Sequence, residues 1–384
     1  MRGRVARLVQ MSFCASKLFG LKRLSKLFQS SLNQHTAPAV TKRLLKLLMP
    51  KVLGPALSAI ILIASCTLTT GAEAQNGVKN IEKPLAWPSR PVHIIVGFPG
   101  GSSPDLTARI LAEPLSRALG QPIIIDNRPG ASGNIATDLI AKARDDHTLG
   151  IVINGNLTSA KMLYPRLPYD PTLDFAPISL LTTAPMVLVS GAGQPQGAAF
   201  FKVAQQNGDR WNYGSVGNGS VSHLGMELIK STRQGLLAVH IPFSGNPQVV
   251  TALIGEQIQM ALMPPGIAMP QVRAGRLTAV GLTSGRSALV PDVAPLADTG
   301  LPGLENINLE VWNALVGPST LSKAAQNRLA VEIPRIMRDP ETRQKFFTQG
   351  WQAVGTSAEG LTNRLRKETA SLGHIIKTRD IRLD

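Results

Sequence analysis

Residues 92–105 read V-H-I-I-V-G-F-P-G-G-S-S-P-D. An apolar run enters a glycine–serine loop, and the loop opens directly into an amphipathic segment. A strand–loop–helix unit of this kind buries its strand and leaves the loop at a rim. The first backbone N–H groups of a helix have no partner inside it, so they face the loop together with the positive end of the helix dipole. Residues 98–105 contain no Lys or Arg. The loop is therefore an anion-binding device with no evident catalyst inside it. The construction recurs at 213–223, Y-G-S-V-G-N-G-S-V-S-H, again ahead of a helix. Two such loops predict two facing halves that grip one small anion.

The pattern around these loops is α/β. Residues 92–98 form a continuous apolar strand of the type buried in a parallel sheet. A helix follows over 106–119, with Leu106, Ile110, Leu111, Leu115 and Leu119 inward and a kink expected at Pro114. Strands are predicted at 123–125 and 148–153, with a helix between them that turns Ile135, Leu139, Ile140 and Ala143 inward. Ligands of such sheets bind outside the carboxyl ends of the strands, marked here by Phe98, Asn127 and Asn154. The apolar stretch 175–189 exceeds an ordinary strand and reads as a crossing between lobes. A second α/β series follows, with strands at 211–215, 237–241, 258–263 and 277–283 and helices at 223–231, 247–255 and 269–275. A further strand at 309–317 and two helices close the chain. The last helix is expected to open with a capping box at Thr356-Ser-Ala-Glu359.

The formal charge of +16 looks like a nucleic-acid signal. Residues 1–74, however, hold eleven Lys/Arg against a single acid, Glu73, so the remainder carries only +6. No basic run with interleaved aromatics follows, so nucleic acid is not an expected partner. Residues 1–74 read as an export leader. A basic flank precedes an apolar run at 52–63, and Ala72-Glu73-Ala74 resembles a cleavage site before Gln75. The run is too short to span a bilayer comfortably. Met49-Pro-Lys-Val begins a conventional signal peptide, so Met49 is the expected start. Residues 75–90 then form an exposed arm. Both cysteines, Cys14 and Cys66, lie in the leader. The mature chain is thus expected to lack disulfides, thiolate nucleophiles and Cys-zinc sites. Ile63-Ala-Ser-Cys66 also resembles a lipoprotein box, which offers tethering through Cys66 as the alternative fate.

Several segments carry a family likeness: W-P-S-R-P-V (87–92), F-P-G-G-S-S-P-D (98–105), A-L-G-Q-P-I-I-I-D-N-R-P-G-A-S-G-N-I (118–135), L-Y-P-R-L-P-Y-D-P (163–171), N-Y-G-S-V-G-N-G-S-V-S-H-L (212–224) and A-G-R-L-T-A-V-G-L-T-S-G-R (274–286). The chain resembles the periplasmic solute receptors of tripartite tricarboxylate transporters, the Bug-type binding proteins. The resemblance implies an α/β, two-lobed, periplasmic-binding-protein-like (type II) clamshell with two crossover strands. Lobe 1 would comprise 91–188 and 284–384, and lobe 2 would comprise 189–283. It implies a periplasmic monomer that captures a small carboxylate through main-chain donors and bridging waters. Delivery would be to membrane transporter subunits, with a membrane sensor as the alternative partner. Carried over by position, the ligand contacts are Phe98, Gly101, Ser102, Ser103 and Asp105, then Asn154, Asn156 and Thr158, then Ser215, Asn218, Gly219, Ser220 and His223. The segment 241–246, I-P-F-S-G-N, departs from the family's usual Tyr-Lys-Gly-Gly after the proline, which bears on the distal ligand contacts.

Other chemistries fit less well. The segment 217–222 lacks the third glycine of a dinucleotide loop and the acid about 20 residues on, so no cofactor is expected. Asp105, at a helix start, reads as a cap that shapes the loop rather than as a catalyst. Ser220 or Ser222 with His223 suggests a hydrolase dyad, but no G-x-S-x-G elbow exists. His93, His147, His240 and His374 lack metal-ligand spacing. Trp312 is open to either a cleft or a core position. The chain is therefore expected to be a receptor and not an enzyme.

Overall fold

A computed structural model describes residues 87–378 and 380–382. The leader, its cleavage signals, Met49, Cys66 and most of the 75–90 arm lie outside the described residues. Two sheets organise the rest. The first has strand order β11-β4-β10-β3-β1-β2: β1 is Val92–Val96, β2 Ile123–Asn127, β3 Thr148–Ile153, β4 Phe175–Pro185, β10 Glu310–Pro318 and β11 Gln352–Ala353. The second has order β7-β6-β8-β5-β9: β5 is Val187–Gly191, β6 Asn212–Ser215, β7 Val239–Pro242, β8 Met260–Met263 and β9 Leu277–Leu282. Each sheet is the core of one lobe, and the fold is the two-lobed periplasmic-binding-protein type.

The first sheet is parallel over β2-β1-β3 and turns antiparallel at β10 and β4. The apolar stretch 175–189 is indeed a crossing: β4 and β5 belong to different sheets with only Met186 between them. The return crossing lies at Leu309 and β10. Residues 284–309 were expected in lobe 1, but they pack on lobe 2. Val290 and Val293 join the apolar cluster of β9, and the Leu282 N–H donates to the Ala294 carbonyl at 2.9 Å. Thr283 sits at both crossings. Its N–H donates to the Met186 carbonyl at 3.0 Å, and its Oγ1 donates to the Leu309 carbonyl at 2.7 Å.

Helix α1, Ser103–Leu119, begins where the first loop ends. Thr107, Ala108, Leu111, Leu115 and Leu119 form its buried stripe at three- and four-residue spacing, and left-handed Gly120 closes it. Leu106 and Ile110 are only half-buried, and the helix runs on through Pro114. Full burial of Leu111 contributes about 1.5–3 kcal/mol. In α2, Asn134–Lys142, the inward residues are Ala136, Thr137, Ile140 and Ala141, while Ile135 and Leu139 face solvent. Ile140 is inward as expected; Ile135 and Leu139 each lie one residue before the buried positions Ala136 and Ile140, on the side that faces outward.

Short helices α3 (Asn154–Leu157) and α4 (Ala160–Leu163) follow β3. Lobe 2 carries α5 (Gly197–Asn207), α6 (Val221–Thr232), α7 (Asn246–Ile254) and α8 (Pro265–Arg273). After β10 come α9 (Lys323–Arg338), α10 (Pro340–Thr348) and α11 (Ala358–Thr378). The cap of α11 is Ser357, whose Oγ accepts from the Gly360 N–H at 3.1 Å. Thr356, expected as the cap, instead accepts from the Leu180 N–H and pins β4. The end of α11 reaches across to lobe 2: Leu372, Ile375 and Ile376 cluster with Leu224 of α6 in lobe 2 and Leu163 of α4 in lobe 1.

Candidate functional site

The first loop is held from below by Asp105. Its carboxylate accepts from the Gly101 N–H at 2.9 Å, Arg109 Nε at 3.0 Å and Asn127 Nδ2 at 3.0 Å. Asn127 Nδ2 also donates to the Phe98 carbonyl at 2.9 Å. Burial pushes the Asp105 carboxyl upward. The bonds from Arg109, Gly101 and Asn127 outweigh burial and hold it below its ordinary range. Asp105 therefore shapes the loop, but it is not the cap expected of it: the N-cap position of α1 is Ser102, and Asp105 reaches back to the loop instead. Gly101 takes a left-handed φ of 81°, a conformation that favours glycine. The Phe98 ring is buried and faces Gly133, where an added Cβ would lie 2.8 Å from it.

This loop meets lobe 2 at the start of α7. A Cβ on Gly245 would lie 2.6 Å from Ser102 Oγ, so the two backbones approach closely. The Ser103 N–H points to Asn246 Oδ1 at 3.4 Å. Ser102 is fully buried, and among the described residues its Oγ has no hydrogen-bond partner.

The second loop, Ser215 to Ser220, meets lobe 1 elsewhere. Ser159 Oγ donates to the Gly219 carbonyl at 2.6 Å, and Tyr164 Oη donates to the Asn218 carbonyl at 3.3 Å. Gly217, at φ 119°, lies against Ser132, itself left-handed at φ 57°. Left-handed backbone at a non-glycine residue is strained and is held by its surroundings, here the Ser132 Oγ to Tyr164 Oη bond at 3.0 Å.

Two imidazoles stiffen the second loop from inside lobe 2. His223 Nδ1 accepts from the Gly219 N–H at 3.1 Å, and His240 Nε2 bonds Ser215 Oγ at 2.7 Å. Ser215 Oγ in turn accepts from the Gly217 N–H at 3.0 Å. The two rings stack at 4.1 Å beside Tyr213. Burial lowers the pKa of His223 to about 4 and that of His240 to about 3, so both are neutral near pH 7. Ser220 caps α6, accepting from the His223 N–H at 3.3 Å while donating to the Gly217 carbonyl at 2.7 Å. Ser220 and His223 thus form a local cap, with Ser220 Oγ directed at the Gly217 carbonyl and His223 Nδ1 taken by the Gly219 N–H.

Asn154, Asn156 and Thr158 are buried but their donors are committed within lobe 1. Asn154 Nδ2 donates to the Glu310 carbonyl and to Glu368 Oε1, at 3.2 and 2.7 Å. Asn156 Nδ2 donates to the Ser132 carbonyl and Asn134 Oδ1, and Thr158 Oγ1 to the Asn154 carbonyl. These three frame the loops. Trp312 lies in the core, where its Nε1 donates to Glu368 Oε2 at 2.6 Å. Sequence reasoning missed Ser132, Ser159 and Tyr164 as seam residues, and tied Gly245 and Asn246 to the site only through the segment 241–246. The motif at 127–134 and the glycine before a helix at 245 were the available signals.

Two lobes joined by two crossings, with helix starts and glycine-rich loops converging on the seam, define a solute-binding receptor of the periplasmic type. The chain belongs to the tripartite tricarboxylate transporter receptor family, whose model, TctC, matches residues 107–381. It is similar to Protein BugT of Bordetella pertussis (strain Tohama I), 33% identical, with 69% of this chain and 81% of BugT covered. Two solved structures share its fold. Against MatC from Rhodopseudomonas palustris with bound malate the TM-score is 0.70 at 27% identity, covering 76% of this chain and 100% of MatC. Against Rpa4515 of R. palustris with adipate the TM-score is 0.74 at 25% identity, covering 77% and 99%.

Proposed function

We propose that this protein captures a small organic carboxylate at the seam between its lobes, in the periplasm, for delivery to the membrane subunits of a tripartite tricarboxylate-type transporter. One observation carries the reading. Three helix starts, those of α1, α6 and α7, lie in the loops that meet at the seam, and residues 98–105, 215–223 and 242–247 contain no Lys or Arg. Helix dipoles, with those main-chain N–H groups of the three loops that are not already bonded within the protein, then supply the positive potential that an arginine would otherwise provide. The buried, unpartnered Ser102 Oγ beside the start of α1 adds a side-chain donor. The malate and adipate held by MatC and Rpa4515 are carboxylates of the size this reading requires.

The test is a calorimetric and thermal-shift screen of C4–C6 dicarboxylates, malate and adipate among them. At 100 times its dissociation constant a ligand adds about 2.7 kcal/mol of stability. Saturable binding with the acid recovered unchanged supports the receptor. Turnover of the acid, or no stabilisation by any carboxylate, overturns it.

A further inference from the structure

A chamber of about 380 Å³ lies in lobe 1 between α11 and strands β4 and β10. This volume falls within the range of small-molecule sites. Leu157, Phe175, Val316 and Leu365 form its apolar wall. Phe175 is held edge-on by Tyr169 at 5.6 Å, and the Tyr169 hydroxyl bonds Asn134 Oδ1 and the Asn156 carbonyl at 2.8 and 2.9 Å, so this part of the wall is fixed. Among the described residues no acid lines the chamber, and the charged group that does is Arg366.

Arg366 is free to take an anion. Its NH1 donates to the neutral Asn363 Oδ1 at 3.0 Å, and among the described residues no carboxylate lies in ion-pair contact with it. Arg364, two residues earlier on the same helix, is bound by both Glu310 and Glu368 at 3.0 Å. We propose that the chamber binds a small amphiphilic monocarboxylate, with the apolar body among the walls and the carboxylate on the Arg366 guanidinium. The planar guanidinium matches a carboxylate in bidentate fashion. A cation finds no counter-charge here. A second carboxylate would be desolvated with no second cation to pair with, since the remaining lining is apolar side chains and threonines. The ligand class therefore differs from that proposed for the seam.

The experiment is calorimetric titration of the full chain with 4-ethylbenzoate and with its neutral isostere 4-ethylbenzamide. The wild-type protein should bind the benzoate saturably and the benzamide at least tenfold more weakly. R366Q should weaken benzoate binding about tenfold, the loss expected for one charge-assisted contact. Thr369→Trp, which fills the chamber, should abolish it. Gly219→Val, at the seam, should leave it intact. If Thr369→Trp does not fold, R366Q decides alone, because Arg366 is exposed and holds no buried partner. No saturable binding at millimolar benzoate, unchanged binding in R366Q, or loss of binding in Gly219→Val overturns the proposal.

Discussion

The hydroxyl of Ser159 in lobe 1 donates to the carbonyl of Gly219 in lobe 2 at 2.6 Å. The same carbonyl lies against Gly155, where an added Cβ would come within 3.0 Å of it. Closure of the seam here depends on small residues and main-chain atoms, and the first prediction follows from that.

At Gly219, φ is 79° and a Cβ would lie 3.0 Å from Leu163 and 3.3 Å from Ser159 Oγ. Gly219→Val should therefore abolish binding of the dicarboxylate at the seam, by straining the backbone and propping the lobes apart there. Ser220→Ala removes a helix cap and should cost about 0.5–2 kcal/mol of stability, with a binding loss of tenfold or less. Calorimetry on both variants checks the ranking, and equal losses would sink the main-chain mechanism.

Asp105→Asn faces three donors with an amide that has one acceptor. The loss at pH 7 should be about 1–3 kcal/mol. The Asp105 pKa is lowered in the folded protein, so its stabilisation is present above the unfolded value and is lost as pH falls through the folded one. Urea unfolding at pH 7 and pH 3 should show the gap between wild type and variant narrowing in acid. A gap independent of pH would exclude the carboxylate as its source.

The stacked imidazoles predict a second acid effect at higher pH. Glu227 and Lys230 of α6, Tyr213 of β6 and His240 of β7 surround His223. With folded values near 4 and 3, the unfolded chain binds more protons once the pH drops below the ordinary histidine value of about 6.5. Stability from this pair is whole above that value and declines as pH falls towards the folded values. Thermal melts of wild type should show Tm decreasing between pH 6.5 and 4.5. His240→Phe keeps the stack but not the proton, so its Tm should fall less over that interval. Parallel curves would count against the pair.

Glu368 of α11 gathers Asn154 Nδ2, Trp312 Nε1 and Arg364 Nε. Glu368→Ala leaves all three without that acceptor, and we expect a loss of about 2–3 kcal/mol, read as a Tm drop of several degrees. Glu368→Gln retains an acceptor and should lose less. Trp312 emission should shift in the alanine variant. A silent alanine variant would mean that water replaces the carboxylate at no cost.

Much of this design was legible in the chain. The loops before α1 and α6 announced themselves because glycine, serine and an early acid at a helix start have few other uses. The crossing at 175–189 was visible as an apolar run too long for one strand. Other features were hidden for physical reasons. Antiparallel insertion of β10 between β3 and β4 is a long-range choice that leaves no local pattern. The side chains of Asn154, Asn156 and Thr158 point to scaffolding partners as remote as Glu310 and Glu368, which spacing cannot reveal. Segment 284–309 went to lobe 2 because Val290 and Val293 found apolar partners there. In α2, Ile135 and Leu139 look core-bound by type, yet the buried stripe runs through the smaller Ala136, Thr137 and Ala141 beside Ile140 and leaves them exposed.

Thr283 links the outgoing crossing at Met186 to the returning one at Leu309 within a single residue. Two strands pinned together at one point form an axle. Bodies mounted on an axle can change their mutual angle but cannot slide or drift apart. Under the proposed function, an anion held by both rims would fix one quantity, the angle between the lobes. A docking surface that spans both rims can read that quantity without ever touching the anion.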